Sequence, residues 1–310
     1  MTDDHGMITT RATERNGGDR HALARAVTRG AAHRIRRGVY VSYDRWSRLD
    51  ADQRYLLRCR AECDSKGSRP ILSHWSAAVV HGIPVIGGWP QMVHRLVERG
   101  SGGRSRNGVI AHPARLDTVD VVEIDGILVT SAARTVIDLA AASSQLSAVT
   151  AADFALSRRR EGHLSKSELY EALAAAKPLK NHARVARILE FSTELADSPA
   201  ESVSRVNMLV SGFVMPVLQS EYSDADGFIG AADFDWRLCD HLGEVDGKQK
   251  YFKPEYLHGR SPGQVVYEEK LREDRFRALP KKVSRWDWHC AVDPARLRAF
   301  LLNAGVPLRR

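Results

Sequence analysis

Apolar residues recur along this chain with two periods, and the period changes from one block of sequence to the next. Spacing of three to four residues, which is typical of a helix with one buried face, predicts helices over residues 51–65, 74–82 and 131–142 and several more within 145–193. Strand-like runs occur at residues 92–98, 108–112, 119–130, 214–221 and 283–288. Because helical and strand-like blocks alternate, the pattern predicts a multidomain α/β protein.

Breaks in this pattern predict three domains. Residues 1–48 form a small basic module, residues 49–195 a mixed α/β middle domain, and residues 196–310 a C-terminal α/β domain. The last of these has the element order helix, three strands, long polar helix, strand. The middle domain shows no reactive constellation, so we interpret it as a scaffold, an oligomerisation surface that would support a homodimer, or a DNA clamp.

Two histidines of the middle domain share a helical face. His74 and His81 are seven residues apart on a predicted helix, and this spacing invites a metal-ligand interpretation. The sequence places no third ligand near them. We therefore favour a helix that packs its Trp and His side chains against a sheet.

Basic residues crowd the first module. Between Arg20 and Arg48 there are eight arginines and a single acid, Asp44. A helix, a turn, a basic helix and a basic hairpin follow one another, which is the plan of a winged helix-turn-helix whose second helix enters the DNA major groove. The expected DNA contacts, mostly to phosphates, are Arg20, Arg25, Arg29, Arg36 and Arg37. The alternative is a solvated arginine-rich face on a small packing module.

The overall composition agrees with a nucleic-acid partner. A formal net charge of +8 and a pI near 9.4 favour a polyanion. No stretch approaches the roughly 18–20 apolar residues of a membrane span, and the first residues lack the apolar segment of a secretory signal. The four cysteines have neither metal-knuckle nor disulfide-framework spacing. These features predict a cytoplasmic protein with reduced thiols and no membrane partner.

Acidic residues lie at directly opposed positions on the two strands of a hairpin predicted over residues 232–251. If its turn is centred at residues 238–239, Asp233 lies directly across from Glu244, with Cβ atoms about 4.5–5.5 Å apart. Strand alternation keeps Asp246 on the face of Glu244. Opposed like charges are destabilising unless a positive charge lies between them, and a divalent cation that prefers oxygen ligands is the natural candidate.

Glu201 has two interpretations. Ser198 and Glu201 have the spacing of a capping box at the start of a helix, with Pro199 at the first helical position. The same helix precedes the acidic hairpin and could aim Glu201 at it. A carboxylate folded onto its own helix end is expected not to reach a metal as well, so both interpretations stay open.

Three segments of the first two domains resemble AbiEi-type antitoxin regulators. They are Arg36–Tyr40 (RRGVY), Leu72–Ala78 (LSHWSAA) and Val129–Leu139 (VTSAARTVIDL). The resemblance implies a DNA-binding transcriptional regulator, and a cognate toxin protein as its partner.

The C-terminal domain resembles PD-(D/E)XK nucleases, of the branch similar to the very-short-patch-repair endonuclease. The resemblance runs from Ser198 to Trp288 and rests on Asp233, the Glu244–Gly247 segment and the helical segment Glu269–Asp274. It implies a restriction-endonuclease-like α/β fold and a Mg²⁺- or Mn²⁺-dependent site. By this resemblance Asp233 and Glu244 would bind the metal. The further candidate ligands are Asp246 and Glu201.

One position departs from the nuclease pattern. The family has a lysine two residues after the glutamate, where this chain has Asp246. Lys248 is the predicted substitute, because it would share the face of Glu244 if the strand continues. Lys270 and Arg272 could contact a phosphate or form a solvated helix face. We interpret Asp235 as a surface acid.

Three functions follow. The first, which we favour, is a metal-dependent DNA endonuclease acting in defence or repair, with Asp233, Glu244, Asp246 and Lys248 as catalytic residues. The second is an AbiEi-type regulator or antitoxin whose nuclease-like domain is inactive. An RNA-processing protein built from the same parts is a third, less favoured, reading.

Overall fold

The protein is described here from a computed structural model, which covers residues 3, 5–19, 21–63, 69–100, 105, 107–246 and 262–309. The chain forms two compact units, residues 1–151 with 166–187 and residues 152–165 with 188–310. Helices and small sheets occur in both, so the predicted multidomain α/β class is confirmed. The predicted boundaries at residues 48 and 195 stay predictions. In the described part of the chain, no helix has the length and apolar character needed to cross a membrane.

The first unit begins with a three-stranded antiparallel sheet in the order β1-β3-β2. Its elements are β1 (Met7–Thr9), α1 (Thr10–Arg15), α2 (Ala22–Thr28), β2 (Ala32–Arg36), β3 (Val39–Ser42) and α3 (Tyr43–Arg48). Helix α1 starts only at Thr10, because Ile8 and Thr9 pair with β3 and the Thr9 side chain caps α1. Met7, Val41 and Trp46 belong to the core beneath this sheet.

The rest of the first unit packs helices against two short strand pairs. The elements are α4 (Ala51–Cys63), α5 (His74–His81), β4 (Val93–Glu98), β5 (Val109–Ala114), β6 (Val121–Ile124), β7 (Ile127–Thr130), α6 (Ala132–Ala142), α7 (Gln145–Leu156), α8 (Lys166–Ala175) and α9 (His182–Phe191), of which α7 and α9 begin in this unit and end in the second. Strands β4 and β5 are parallel, whereas β6 and β7 form the predicted hairpin. Asp125 and Gly126 both have positive φ, as a type I′ turn requires.

Residue Leu72 joins the two strand pairs of this unit. Its amide donates to the Leu128 carbonyl at 2.8 Å, its carbonyl accepts from Thr130, and it forms a further bridge with Arg95 of β4. Leu72 is fully buried beside Tyr55 of α4. The segment just before α5 is therefore fixed against β4, which determines where α5 begins.

The second unit is built on a four-stranded sheet in the order β11-β10-β9-β8. Its elements are α10 (Pro199–Val210), β8 (Val217–Asp224), β9 (Gly227–Trp236), β10 (His241–Asp246), α11 (Pro262–Ala278), β11 (Lys282–Asp287), α12 (Trp288–Val292) and α13 (Pro294–Asn303). Strands β8, β9 and β10 are antiparallel neighbours, and β11 runs parallel to β10. The predicted order of helix, three strands, helix and strand is therefore present.

Aromatic rings cover one face of this sheet. Phe234 and Trp286 stack with ring centroids 5.3 Å apart, and the Trp286 indole donates to Ser204 of α10 at 3.0 Å. A Cβ at Gly243 would lie 2.7 Å from the Trp286 ring and 2.9 Å from that of Trp236, so glycine lets these rings pack on the β10 backbone. Because side chains alternate along a strand, Glu244 then points to the opposite face.

Candidate functional site

The hairpin register brings the two predicted acids together. Strands β9 and β10 pair Trp236 with His241 and Phe234 with Gly243. Continued by one residue, this register sets Asp233 opposite Glu244, as the sequence predicts. The carboxylate of Asp233 also accepts a hydrogen bond from the Val245 amide at 2.9 Å. The side chain of Asp233 is thereby anchored to the neighbouring strand.

Glu201 both caps helix α10 and lies beside the acidic hairpin. The sequence presents these two roles as alternatives. Its carboxylate accepts from the Ser198 hydroxyl at 2.7 Å and from the Asp197 amide at 2.9 Å, which completes the capping box. It is also buried, and burial together with the negative charge of Asp233 raises the pKa of Glu201 well above its usual range. A carboxylate that caps α10 therefore also lies beside Asp233.

Glu244 is the third acid of this group, and one of its oxygens is unsatisfied. Arg272 of α11 donates to Oε2 at 2.8 Å, whereas Oε1 is buried and has no hydrogen-bond partner within the described residues. Burial and the charge of Asp233 raise the pKa of Glu244, and the Arg272 guanidinium partly opposes them. We call Glu201, Asp233 and Glu244 the acidic cluster.

Strand β8 adds an unusual backbone to this cluster. Gln219 lies between the paired positions Leu218–Phe234 and Ser220–Ala232, directly opposite Asp233. Its φ of 52° is in the left-handed region, which a non-glycine residue seldom occupies inside a strand. The side-chain amide donates to Glu201 at 3.1 Å. A strained residue held in place by its surroundings is typical of functional sites.

Two other predicted acids lie in different surroundings. Asp246 is half-exposed and pairs with Arg285 of β11 at 2.6 Å, so the position of the family lysine holds an acid whose charge is matched by an arginine. Asp235 was interpreted as a surface acid, and this is wrong: it is 2% exposed and accepts from the Tyr222 hydroxyl at 2.8 Å. Its burial follows from strand alternation, which puts it on the face of Asp233. Lys248 lies outside the described residues.

Arg272 is a site residue that the sequence left undecided. It lies on α11 and reaches Glu244, and its guanidinium also lies over the Phe276 ring at 5.3 Å. The interleaved charges around it in the sequence gave no sign of this inward direction. Exposed Lys270, on the same helix, shows no such contact among the described residues.

The predicted DNA-binding arginines differ in how they are held. Arg29 and Arg37 are exposed, and Arg25 is exposed but paired with Asp19 at 2.5 Å. Arg36 instead turns inward, where it pairs with buried Glu62 of α4 and donates to the Ala61 carbonyl at 3.2 Å. Arg20 lies outside the described residues.

A second cluster of ligand-type side chains was missed from the sequence. His74, His94 and His112 each offer a ring nitrogen, and these atoms lie within 4.8 Å of one another. Among the described residues this is the one group of three such side chains with so tight an arrangement. His81, which shares a helical face with His74 in the sequence, contacts the Thr130 carbonyl instead. We call the first three residues the histidine cluster.

Because the acids of the acidic cluster are crowded, we predict that the stability of metal-free protein depends on pH. Glu201→Gln should gain stability relative to the wild type, on the order of 1–3 kcal/mol, as the pH rises from about 5 to about 8. In this window the folded wild type still holds a proton that the unfolded chain has released, so rising pH favours unfolding. Glutamine keeps the capping box and cannot ionise.

Urea unfolding in EDTA at a series of pH values measures this difference. Glu221→Gln, which alters an exposed acid of β8, is the matched control and should follow the wild type at every pH. A Glu201→Gln difference that does not change with pH would contradict the crowding.

Comparisons with known proteins leave the family open. No protein-family model matches the chain, and no curated protein matches it. Among solved structures, the chain is similar to the RV2827C protein from Mycobacterium tuberculosis, with 15% identity, coverage of 70% of this chain and 83% of that chain, and a TM-score of 0.39. A likeness at this level carries no inference about fold or function. The resemblances to AbiEi-type regulators and PD-(D/E)XK nucleases stay predictions.

Proposed function

We propose that this protein binds DNA through its basic N-terminal module and hydrolyses DNA phosphodiester bonds at the acidic cluster with a divalent cation. One observation carries the proposal. Glu201, Asp233 and Glu244 come from three different elements, yet the charge of Asp233 adds to burial in raising the pKa of both glutamates, and one buried Glu244 oxygen has no hydrogen-bond partner among the described residues. Such crowding is costly for a protein that binds nothing there.

The donor set suits a hard cation. All candidate ligands are carboxylate oxygens, which Mg²⁺ and Mn²⁺ prefer. The cluster is more open than the histidine cluster, but Mg²⁺ commonly keeps several waters and uses one or two carboxylates. Asp233 and Glu244 would hold the ion, with Glu201 and Asp246 at its edge. A bound cation supplies Lewis-acid stabilisation of phosphate charge and a water of lowered pKa.

Two arginines provide the positive charge that Asp246 cannot. The Arg272 guanidinium already lies against Glu244, and a guanidinium binds phosphate oxygens through two parallel hydrogen bonds. Arg285 bridges Asp246 and Glu273, with both contacts at 2.6 Å, which orients Asp246 toward β11. In this arrangement Arg272 would hold the scissile phosphate close to the ion that Glu244 binds.

The N-terminal module supplies affinity for the duplex. Its order of strand, two helices and a two-stranded hairpin supports a winged-helix arrangement, in which α2 faces the major groove and the β2–β3 hairpin is the wing. Exposed Arg25, Arg29 and Arg37 would contact phosphates. Arg34, which is exposed on β2, joins this set in place of the inward-facing Arg36.

A regulator with an inactive nuclease-like domain is the second candidate. The ion pair between Asp246 and Arg285 favours it, because the position of the family lysine is then occupied by a neutralised pair. On this account the acidic cluster serves binding alone, and the partners would be operator DNA, a toxin protein and a second copy of the chain.

Cleavage of DNA tests the first candidate. Wild-type protein with Mg²⁺ or Mn²⁺ should nick or linearise supercoiled plasmid, and EDTA should stop it. Glu244→Gln should lower the rate at least about 100-fold, since losing a ligand exceeds the 10–100-fold typical of outer-shell changes. Glu221→Gln, on the same sheet, should cleave like the wild type.

The outcomes separate the two candidates. If DNA binding is intact but neither Mg²⁺ nor Mn²⁺ supports cleavage, the nuclease proposal is overturned and the regulator proposal is supported. Equal cleavage by wild type and Glu244→Gln would point to a contaminating nuclease and also contradict the proposal.

DNA binding is tested by its salt dependence. The double substitution Arg25→Ala with Arg29→Ala should weaken binding to duplex DNA, because two phosphate contacts are lost. It should also lower the slope of log affinity against log salt by about 1.8. Fluorescence anisotropy on the upstream region of the gene, at several salt concentrations, measures both.

A charge-matched control completes the experiment. Arg296→Ala with Arg298→Ala removes the same charge from the exposed side of α13 and should leave the slope unchanged. An equal loss of DNA affinity and of salt slope in both double variants would show that only net charge matters. That result would contradict a DNA-binding site on α2.

A further inference from the structure

The histidine cluster is assembled from three elements of the first unit. The parallel register of β4 and β5 pairs Leu96 with His112, so His94, two residues before Leu96, shares the face of His112. His94 Nδ1 and His112 Nε2 lie 2.9 Å apart. His74, the first residue of α5, stacks on His112 with ring centroids 3.7 Å apart.

One buried ring nitrogen of this cluster is unsatisfied, and all three rings can offer a lone pair. His94 is 4% exposed, and its Nε2 has no hydrogen-bond partner among the described residues. Burial lowers the pKa of His94 to about 4 and also lowers those of His74 and His112, so all three rings are neutral at pH 7. A neutral imidazole keeps a lone pair for a metal.

A buried carboxylate stands behind the cluster. Asp138 of α6 accepts from Arg134 through Oδ1 at 2.9 Å, whereas its Oδ2 is buried with no hydrogen-bond partner in the described structure. That oxygen lies 3.7 Å from His74 Nδ1. Metal-bound histidines usually donate their second ring N–H to a carboxylate, which fixes the tautomer and the ring orientation. His74 Nδ1 lies 3.0 Å from the Ser73 hydroxyl oxygen and faces Asp138, so a small shift would let Asp138 orient the ring and leave Nε2 of His74 for the ion.

We propose that His74, His94 and His112 bind one zinc ion, with Asp138 orienting His74 and a water in the fourth position. Nitrogens bound to tetrahedral zinc at 2.0–2.1 Å lie about 3.3 Å apart, close to the spacing of the His94 and His112 nitrogens. Zinc accepts imidazole readily, whereas Mg²⁺ and Ca²⁺ prefer oxygen ligands. The ion would tie the start of α5 to the β4–β5 pair.

Binding requires two local movements, the first being that the contact between His94 Nδ1 and His112 Nε2 opens so that both nitrogens face the ion. A histidine points its nitrogen at a metal within the plane of its ring, so the His74 ring must tilt from its stack on His112. Both residues are partly exposed, which gives them room to turn and gives the ion a route from solvent. His74 also has a left-handed backbone, with φ of 52°, a conformation that persists only where the surroundings hold it.

Zinc titration of the full-length, tag-free protein after EDTA treatment tests the site. Calorimetry should give one tightly bound zinc per chain, together with a rise in Tm of the zinc-loaded protein. His112→Gln should weaken zinc binding at least about 100-fold, and Asp138→Asn, an orienting residue, 10–100-fold. His81→Gln removes an imidazole from the same helix, and Glu221→Gln removes an exposed acid of the other unit. Both should bind zinc like the wild type.

The type of ligand is read directly from the loaded wild-type protein. The zinc-edge X-ray absorption spectrum should show three imidazoles and one oxygen, a result that needs no variant to fold. An absence of stoichiometric binding would overturn the proposal. So would an unchanged affinity in His112→Gln, or a spectrum without imidazole scattering. None of these outcomes bears on DNA cleavage at the acidic cluster.

Discussion

The C-terminal unit depends on how it accommodates three carboxylates around one point of a sheet. Asp233 lies on a central strand, and its charge raises the pKa of both Glu201 and Glu244. Burial disfavours these charges and proximity adds to the effect. The chain offsets part of the repulsion through the α10 cap, the Val245 amide and the Arg272 guanidinium. Glu244 Oε1 receives no hydrogen bond within the described residues, so this offset is incomplete.

The surrounding elements serve this arrangement. Helix α10 begins at the capping box that holds Glu201, and α11 brings Arg272 over the same face of the sheet. Glycine at position 243 lets Trp236 and Trp286 pack on the opposite face, which fixes β10 and the direction of Glu244. Arg285 pairs with Asp246, so the charge of this acid is matched. These contacts supply cationic groups close to the acids, as phosphate chemistry requires.

The sequence was informative wherever the relevant contacts were local. The Asp233–Glu244 pairing follows from one short turn and strand alternation, and the capping box of Glu201 lies within four residues. Predictions from the sequence failed where the contacting residues are far apart in sequence. His94 and His112 meet only because β4 and β5 pair in parallel, and no local pattern specifies that register. Arg36 turned inward because Glu62, on another helix, offers a buried partner. Asp235 was misjudged because its partner Tyr222 lies on a different strand.

The protein thus has two clusters of contrasting side chains, carboxylates in one unit and imidazoles in the other. Anomalous diffraction from crystals grown with Mn²⁺ tests the central claim most directly. The account predicts an anomalous peak between Asp233 and Glu244, within about 2.0–2.4 Å of a carboxylate oxygen from each. A fully ordered acidic cluster without such a peak at millimolar Mn²⁺, or a peak at the histidine cluster alone, would contradict it.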